Sequence, residues 1–291
     1  MESGSLARGW ALDPNGPLAG LCLAALAGAL SVLAMAPTFG WPLLWLTFPL
    51  LVALLDRVAR RLERASARRR AAGFAAVGWA FGFGYFLPGL SWIGEAFLVE
   101  AEKFAWLMPF AVTLMPAGLA LFFGAATAAA SLAWRPGAGR IVALALALST
   151  TEWLRGHILT GFPWNDLGLA LTGSEALMQS ASVLGVSGLA FWTVLIFSSP
   201  VLLLGGGSLL ERAALPLVGI GLLGLAALLG SLRVPETPVA SVPSVRLRLV
   251  QPNIPQREKW QGENKERIFS TFIVLTQAGE AGAGPSLEGI T

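Results

Sequence analysis

Apolar runs of about twenty residues recur along the chain, and no other feature narrows the fold so far. At 1.5 Å per helical residue, such a run crosses roughly 30 Å of hydrocarbon. Within lipid, a backbone satisfies its own hydrogen bonds only as a helix or a closed barrel. The runs lie near residues 17–35, 38–55, 71–93, 104–132, 139–155, 181–204 and 213–232. The spacing predicts seven spans, or six as the fallback, because the second and fifth runs have Pro42 and Glu152 near their ends. The chain is 55% hydrophobic and 13% charged, against roughly 25% charged in ordinary soluble domains, so lipid is the solvent for most of it.

Composition also excludes several classes. One cysteine, Cys22, allows no internal disulfide, and one histidine, His157, allows no histidine cluster for a metal. The sequence pI of about 9.6 is high enough for a nucleic-acid binder. The arginines, however, gather in "DRVARRLERASARRR", residues 56–70, between two spans, which is a topology signal rather than a groove-binding stripe. That loop is expected in the cytoplasm, with a contact to anionic lipid as a further role. Arg135, Arg140 and Arg212 then fall on the same side. The loop at 94–103, with Glu95, Glu100 and Glu102 against Lys103, falls outside, and so does everything after residue 233.

The first span contains Ala34-Met35-Ala36, a small-x-small pattern like a signal-peptidase site. Its apolar stretch is longer than a signal core and Pro37 would follow the cut, so it reads as a retained helix. Gly20, Ala24 and Gly28 repeat every fourth residue and invite close approach by a neighbouring helix. At the far end, Pro235, Pro238 and Pro243 mark residues 233–244 as a linker leaving the membrane domain, residues 1–232. In residues 245–291, Val245, Leu247 and Leu249 alternate with Arg246 and Arg248 as in a strand. Ile268, Phe272 and Leu275 then lie on one face of a helix. A strand followed by a helix is the first unit of an α/β domain, and it lacks partners here.

The candidate chemistry lies in "TEWLRGHILTGFPWNDLG", residues 151–168, which places Glu152, Arg155, Asp166 and His157 at the end of an oily run. One reading is a membrane-interface turn, with Trp153 and Trp164 at headgroup depth, Gly161 and Pro163 making the turn, and Arg155 on lipid phosphate. The other is a re-entrant or interfacial loop lining a lipid-accessible cavity, since intramembrane charges such as Glu152 and Arg155 mark functional sites. His157, a lone histidine beside the turn, reads as a solvated side chain.

The segments "EWLRGHILTGFPWNDLG", "SASVLGVSGLAF" and "VRLRLVQPNIPQREKW", in that order, resemble the apolipoprotein N-acyltransferase family over about residues 15–280. The resemblance implies an α-helical polytopic membrane bundle followed by the truncated start of an α/β nitrilase-like (CN hydrolase) domain on the periplasmic face of the bacterial inner membrane. It implies transfer of an acyl chain from a phospholipid to the N-terminal amine of a diacylglyceryl-cysteine apolipoprotein, by ping-pong chemistry through a cysteine thioester and with no cofactor. The partners are then the phospholipid acyl donor, the apolipoprotein and membrane lipid, and no nucleic acid. It further implies a Glu-Lys-Cys triad, of which this chain matches no member. Glu280 and Glu288 lack the Trp-Pro-Glu neighbours, and Cys22 sits inside a span, where a thiolate is costly. The expectation is therefore an N-terminal piece, inactive alone. Lys259 and Trp260 match the family's KW pair. Trp260 is expected either at the mouth of the acyl pocket or as a bilayer anchor, and Trp164, Glu152 and Arg155 complete the expected substrate-binding set. Gln251 and Asn253 read as holding the turn after the strand. The competing class is a non-enzymatic membrane scaffold or lipid-binding module, supporting a separate enzyme such as a polyprenol-phosphate mannosyltransferase. No internal repeat points to a transporter.

Overall fold

Six helices carry apolar stretches long enough to cross a membrane: Pro17–Ala34, Trp41–Arg61, Ala67–Gly89, Ala101–Ala133, Ala181–Leu204 and Leu209–Arg233. They come from a computed structural model of the chain, which describes residues 16–235, 247–259 and 261–277. The regular helices are α1 (Pro17–Ser31), α2 (Leu44–Arg61), α3 (Ala67–Gly89), α4 (Met108–Ala130), α5 (Gly139–His157), α6 (Ala181–Ser198), α7 (Leu209–Arg233) and α8 (Lys265–Gln277). The expected fifth run is the helix α5, but it holds Arg140, Glu152 and Arg155. Among the described residues the long apolar helices therefore number six, the fallback count. Three charges within nineteen residues make α5 too polar to cross by composition alone, and they must be neutralised by neighbours.

The chain divides into two units, one of residues 1–92 and 110–235 and one of residues 93–109 and 236–291. In the first, the small residues of α1 find their partner in α3. A Cβ added at Gly28 would strike the Phe81 carbonyl and the Tyr85 amide, and one at Gly84 would strike the Ala25 carbonyl. Gly20, Ala24, Ala27 and Gly28 are all buried on that face. Backbones this close gain van der Waals contact that lipid cannot outcompete. Around them lies an aromatic core, in which Phe81 meets Phe48 at 5.6 Å and Phe123 at 6.2 Å between ring centroids. Two buried hydroxyls find internal partners: Ser31 donates to Thr47 Oγ1 at 2.7 Å and Thr127 to the Phe74 carbonyl at 2.9 Å. The outward face of α7, with Leu217, Val218, Ile220, Leu225, Leu228 and Leu229, is exposed. An apolar surface of that extent suits lipid and not water.

One polar cluster ties the start of α5 to the C-terminal part of α2 and the start of α3. Asp56 pairs with Arg140 at 3.2 Å and accepts from Trp134 Nε1 at 2.9 Å, while Arg70 donates to the Trp134 carbonyl at 2.8 Å. Arg140 and Glu152 are twelve residues apart, about 18 Å along the helix, so α5 is anchored by charge at both ends and apolar between.

In the second unit, α8 forms where the amphipathic pattern predicts, and Arg267 pairs with Glu258 at 2.6 Å. Its Phe269, Phe272, Ile273 and Val274 are exposed. The strand expected over 245–250 does not form among the described residues 247–250, which adopt no regular secondary structure; residues 245 and 246 lie outside the described residues. A single extended segment with no partner edge has nothing to pair with.

Candidate functional site

At its far end α5 turns into the loop 158–166, and the loop is held from below by two side chains of the helix itself. Glu152 and Arg155 lie three residues apart on one face and are each 1% exposed. Arg155 Nε donates to Glu152 Oε1 at 3.0 Å and Nη2 to Oε2 at 2.8 Å, the two-pronged geometry that a guanidinium and a carboxylate favour. The remaining nitrogen, Nη1, reaches the loop and donates to the carbonyls of Phe162 and Trp164, the latter at 2.8 Å. Glu152 Oε2 also accepts the Leu167 amide at 3.3 Å. The guanidinium stands 5.0 Å over the Phe86 ring. Neither charge is left bare in an apolar interior.

The loop needs that help. Leu159, Thr160, Gly161 and Asn165 all have positive φ, a conformation that only glycine adopts without strain. Tyr85, from α3, donates to the Asn165 carbonyl at 3.0 Å, and the Phe162 amide bonds back to the Arg155 carbonyl at 2.8 Å. Asp166 then caps the short turn Leu167–Leu171 by accepting the Gly168 amide at 2.8 Å. Burial, and next the nearby Glu152 charge, raise the Asp166 carboxyl to about 7 from its usual 3.8; the Gly168 amide and Arg155 act in the other direction.

On the open side the loop presents aromatic and aliphatic groups. Trp164 pairs with Trp92 at 5.4 Å, and Ile158 and Leu159 are exposed. His157 stacks on Trp153 at 4.3 Å between centroids, its Nδ1 lies 2.7 Å from the Trp153 carbonyl, and it is exposed, as a solvated side chain would be. Trp153 also lines a laterally open groove of about 440 Å³ between α5 and α6, with Ser149, Thr150, Ser187, Phe191 and Trp192 among its walls. That volume lies within the roughly 300–1,000 Å³ of small-ligand sites. The wall follows from Gly185, whose φ of +65° and ψ of 175° break α6.

Of the four expected substrate-binding residues, Glu152 and Arg155 are brought together and buried, engaged with each other and with the loop backbone. Trp164 stands exposed above them. Trp260 lies outside the described residues. The groove residues were not singled out from sequence; the signal for them is the "VLGVSG" break, residues 183–188, in an otherwise helical pattern. Cys22 is exposed on α1, remote in sequence from the loop. Among the described residues no three of His, Cys, Asp and Glu gather to hold a metal ion.

Residues 27–198 match the sequence profile described as the apolipoprotein N-acyltransferase N-terminal domain. The chain is 46% identical over 269 residues to a protein named apolipoprotein N-acyltransferase from Rhodopseudomonas palustris, an alignment covering 92% of this chain and 49% of that one. Proteins of the same name from Allorhizobium ampelinum and Brucella melitensis are 43% and 40% identical, over 87% and 89% of this chain and 47% and 48% of theirs. The chain spans about half the length of the curated relatives it matches.

Proposed function

Because the chain belongs to the apolipoprotein N-acyltransferase family, we propose that it serves in lipoprotein maturation, in transfer of an acyl chain from a phospholipid to the N-terminal amine of a diacylglyceryl-cysteine apolipoprotein. The part these residues play is the membrane half of that task. The bundle sits in the bacterial inner membrane, with the loop 158–166 and the residues after 233 on the periplasmic side. The positive-inside arrangement of residues 56–70 supports that orientation, with α5 crossing as a seventh span whose charges are neutralised by Asp56 at one end and by the Glu152–Arg155 pair at the other.

The observation that carries the reading is the loop 158–166, pinned by the buried Glu152–Arg155 pair beside the α5–α6 groove. An acyl donor needs an apolar channel for its chain and a rigid rim that holds its ester at the membrane surface. The groove meets the first need, with Trp153, Phe191 and Trp192 as walls, and the loop with Trp164 meets the second. Irregular backbone is tolerated at such depth only where protein or water covers it, and Arg155 provides that cover for two carbonyls. Pre-ordering the rim places the ester without an ordering cost at each turnover. Chemistry needs a nucleophile besides; the single thiol, Cys22, is exposed on an apolar span, so these 291 residues by themselves do not form the thioester.

The test uses a phospholipid with a photoreactive acyl chain, added to the purified chain in bilayer discs. Cross-links should concentrate on Trp153, Phe191 and Trp192 and fall several-fold for Trp192→Ala. Uniform labelling around the bundle, undiminished in that variant, contradicts the reading. Recovery of N-acylated diacylglyceryl peptide from the purified chain would refute the division of labour.

A further inference from the structure

The hairpin joining α2 to α3 carries a dense excess of positive charge, and neither the groove nor the loop accounts for it. Within residues 56–70 the sequence sets seven arginines, Arg57, Arg60, Arg61, Arg64, Arg68, Arg69 and Arg70, beside two acids, Asp56 and Glu63. Asp56 is already taken by Arg140 and Trp134. Arg60, Arg64, Arg68 and Arg69 are exposed, and among the described residues none of the four enters an ion pair.

Helix geometry makes the arrangement more telling than its charge count. Arg60 and Arg61 close α2, where the helix dipole is negative and cations are welcome. Arg68, Arg69 and Arg70 open α3, whose first turn holds no acidic residue. Three cations thus stand where the dipole is already positive and the first amides lack helical acceptors. Ser66 Oγ accepts the Arg69 amide at 3.4 Å, but it brings no charge. The cost is removed by an anion, and both helices run straight from this hairpin into apolar spans, so the anion at hand is a lipid headgroup.

We propose that the α2–α3 hairpin is a docking site for anionic phospholipid, with the headgroup phosphate at the start of α3 among Arg64, Arg68 and Arg69. Guanidinium groups suit this ligand, because their planar fork bonds two phosphate oxygens at once and sheds water more readily than an ammonium. The lipid here holds the bundle and is not the acyl donor, so the site stands apart from the proposed reaction.

The experiment is native mass spectrometry of the full chain in detergent micelles, where membrane sidedness plays no part, with phosphatidylglycerol and phosphatidylcholine in competition. The unaltered chain should retain phosphatidylglycerol in preference by about tenfold, the scale expected for two screened arginines. The double variant Arg68→Gln, Arg69→Gln should bring the ratio near one, while Arg135→Gln, a cation outside the hairpin, should leave it unchanged. Inorganic phosphate at equal concentration should displace little, since it lacks the acyl chains that run along the spans. Equal retention of the two lipids by the unaltered chain overturns the proposal, as does a preference surviving the double variant. Full displacement by inorganic phosphate replaces the lipid with a simple anion and overturns the lipid assignment.

Discussion

Arg155→Met removes the cation from the buried pair while keeping much of the side-chain volume. The structure sets the expected loss. Glu152, 1% exposed, loses both bonds from the guanidinium, and the Phe162 and Trp164 carbonyls lose their donor. Stripping one partner from a buried ion pair costs about 3–5 kcal/mol, because the other charge is left uncompensated. For a domain of this size that corresponds to a fall of about 6–20 °C in the unfolding midpoint. The double variant Glu152→Leu, Arg155→Met removes the stranded charge as well, so it should recover much of the stability. It should not recover the loop, because the two carbonyls and the Leu167 amide still lack partners. The assay therefore has two readouts on detergent-purified protein: thermal unfolding by tryptophan fluorescence, and amide exchange over residues 156–168. Exchange in the loop should rise in both variants, and the midpoint should fall steeply only in the single one. Unchanged loop exchange in Arg155→Met would refute the idea that this pair pins the loop.

Other perturbations give equally specific outcomes. With its carboxyl raised to about 7, Asp166 keeps a proton in the fold that the unfolded chain releases near pH 4. Stability is therefore greatest below about pH 4 and declines as pH rises to 7, by no more than about 4 kcal/mol. Asp166→Asn preserves the cap on Gly168, so it should flatten that dependence and unfold at higher temperature than the parent at pH 8. Gly84→Ala puts a methyl against the Ala25 carbonyl, backbone that cannot yield, and should cost at least about 1–3 kcal/mol. Gly221→Ala, in open space on α7, should be neutral or gain up to about 1 kcal/mol; the two midpoints measured side by side check this. His157→Ala loses an exposed stack on Trp153 and the exposed contact of Nδ1 with the Trp153 carbonyl, and should move the midpoint by less than about 1–2 °C.

The helices were legible because hydrophobic run length reports directly on a membrane's thickness, and the starts and ends of α3, α5 and α7 fell within four residues of the apolar runs. The Gly20-Ala24-Gly28 stripe announced a close neighbour, though sequence could not say that α3 would answer it with Gly84. Glu152 and Arg155 were visible as a pair of charges, and their spacing of three already allows contact on one helix face. What the spacing could not convey is that Arg155 has a third nitrogen aimed at Phe162 and Trp164, since that depends on a loop with four positive-φ residues folding back over its own helix. The alternative of Arg155 on lipid phosphate overlooked that internal use. The groove escaped notice for a related reason: its walls come from two helices distant in sequence, and Gly185 looks like any other small residue in an apolar run. Residues 247–250 alternate in sequence as a strand should, yet alternation creates a strand only when another edge accepts it.

Sidedness tests the account most directly, because the proposed role in acyl transfer to exported lipoproteins requires the pinned loop and the residues after 233 to lie on the outer face. Alkaline phosphatase, active only outside the cytoplasm, should be active when fused after Pro235 and inactive when fused after Ala65. The reverse pattern, active at Ala65 and silent at Pro235, would contradict both the orientation and the proposed role.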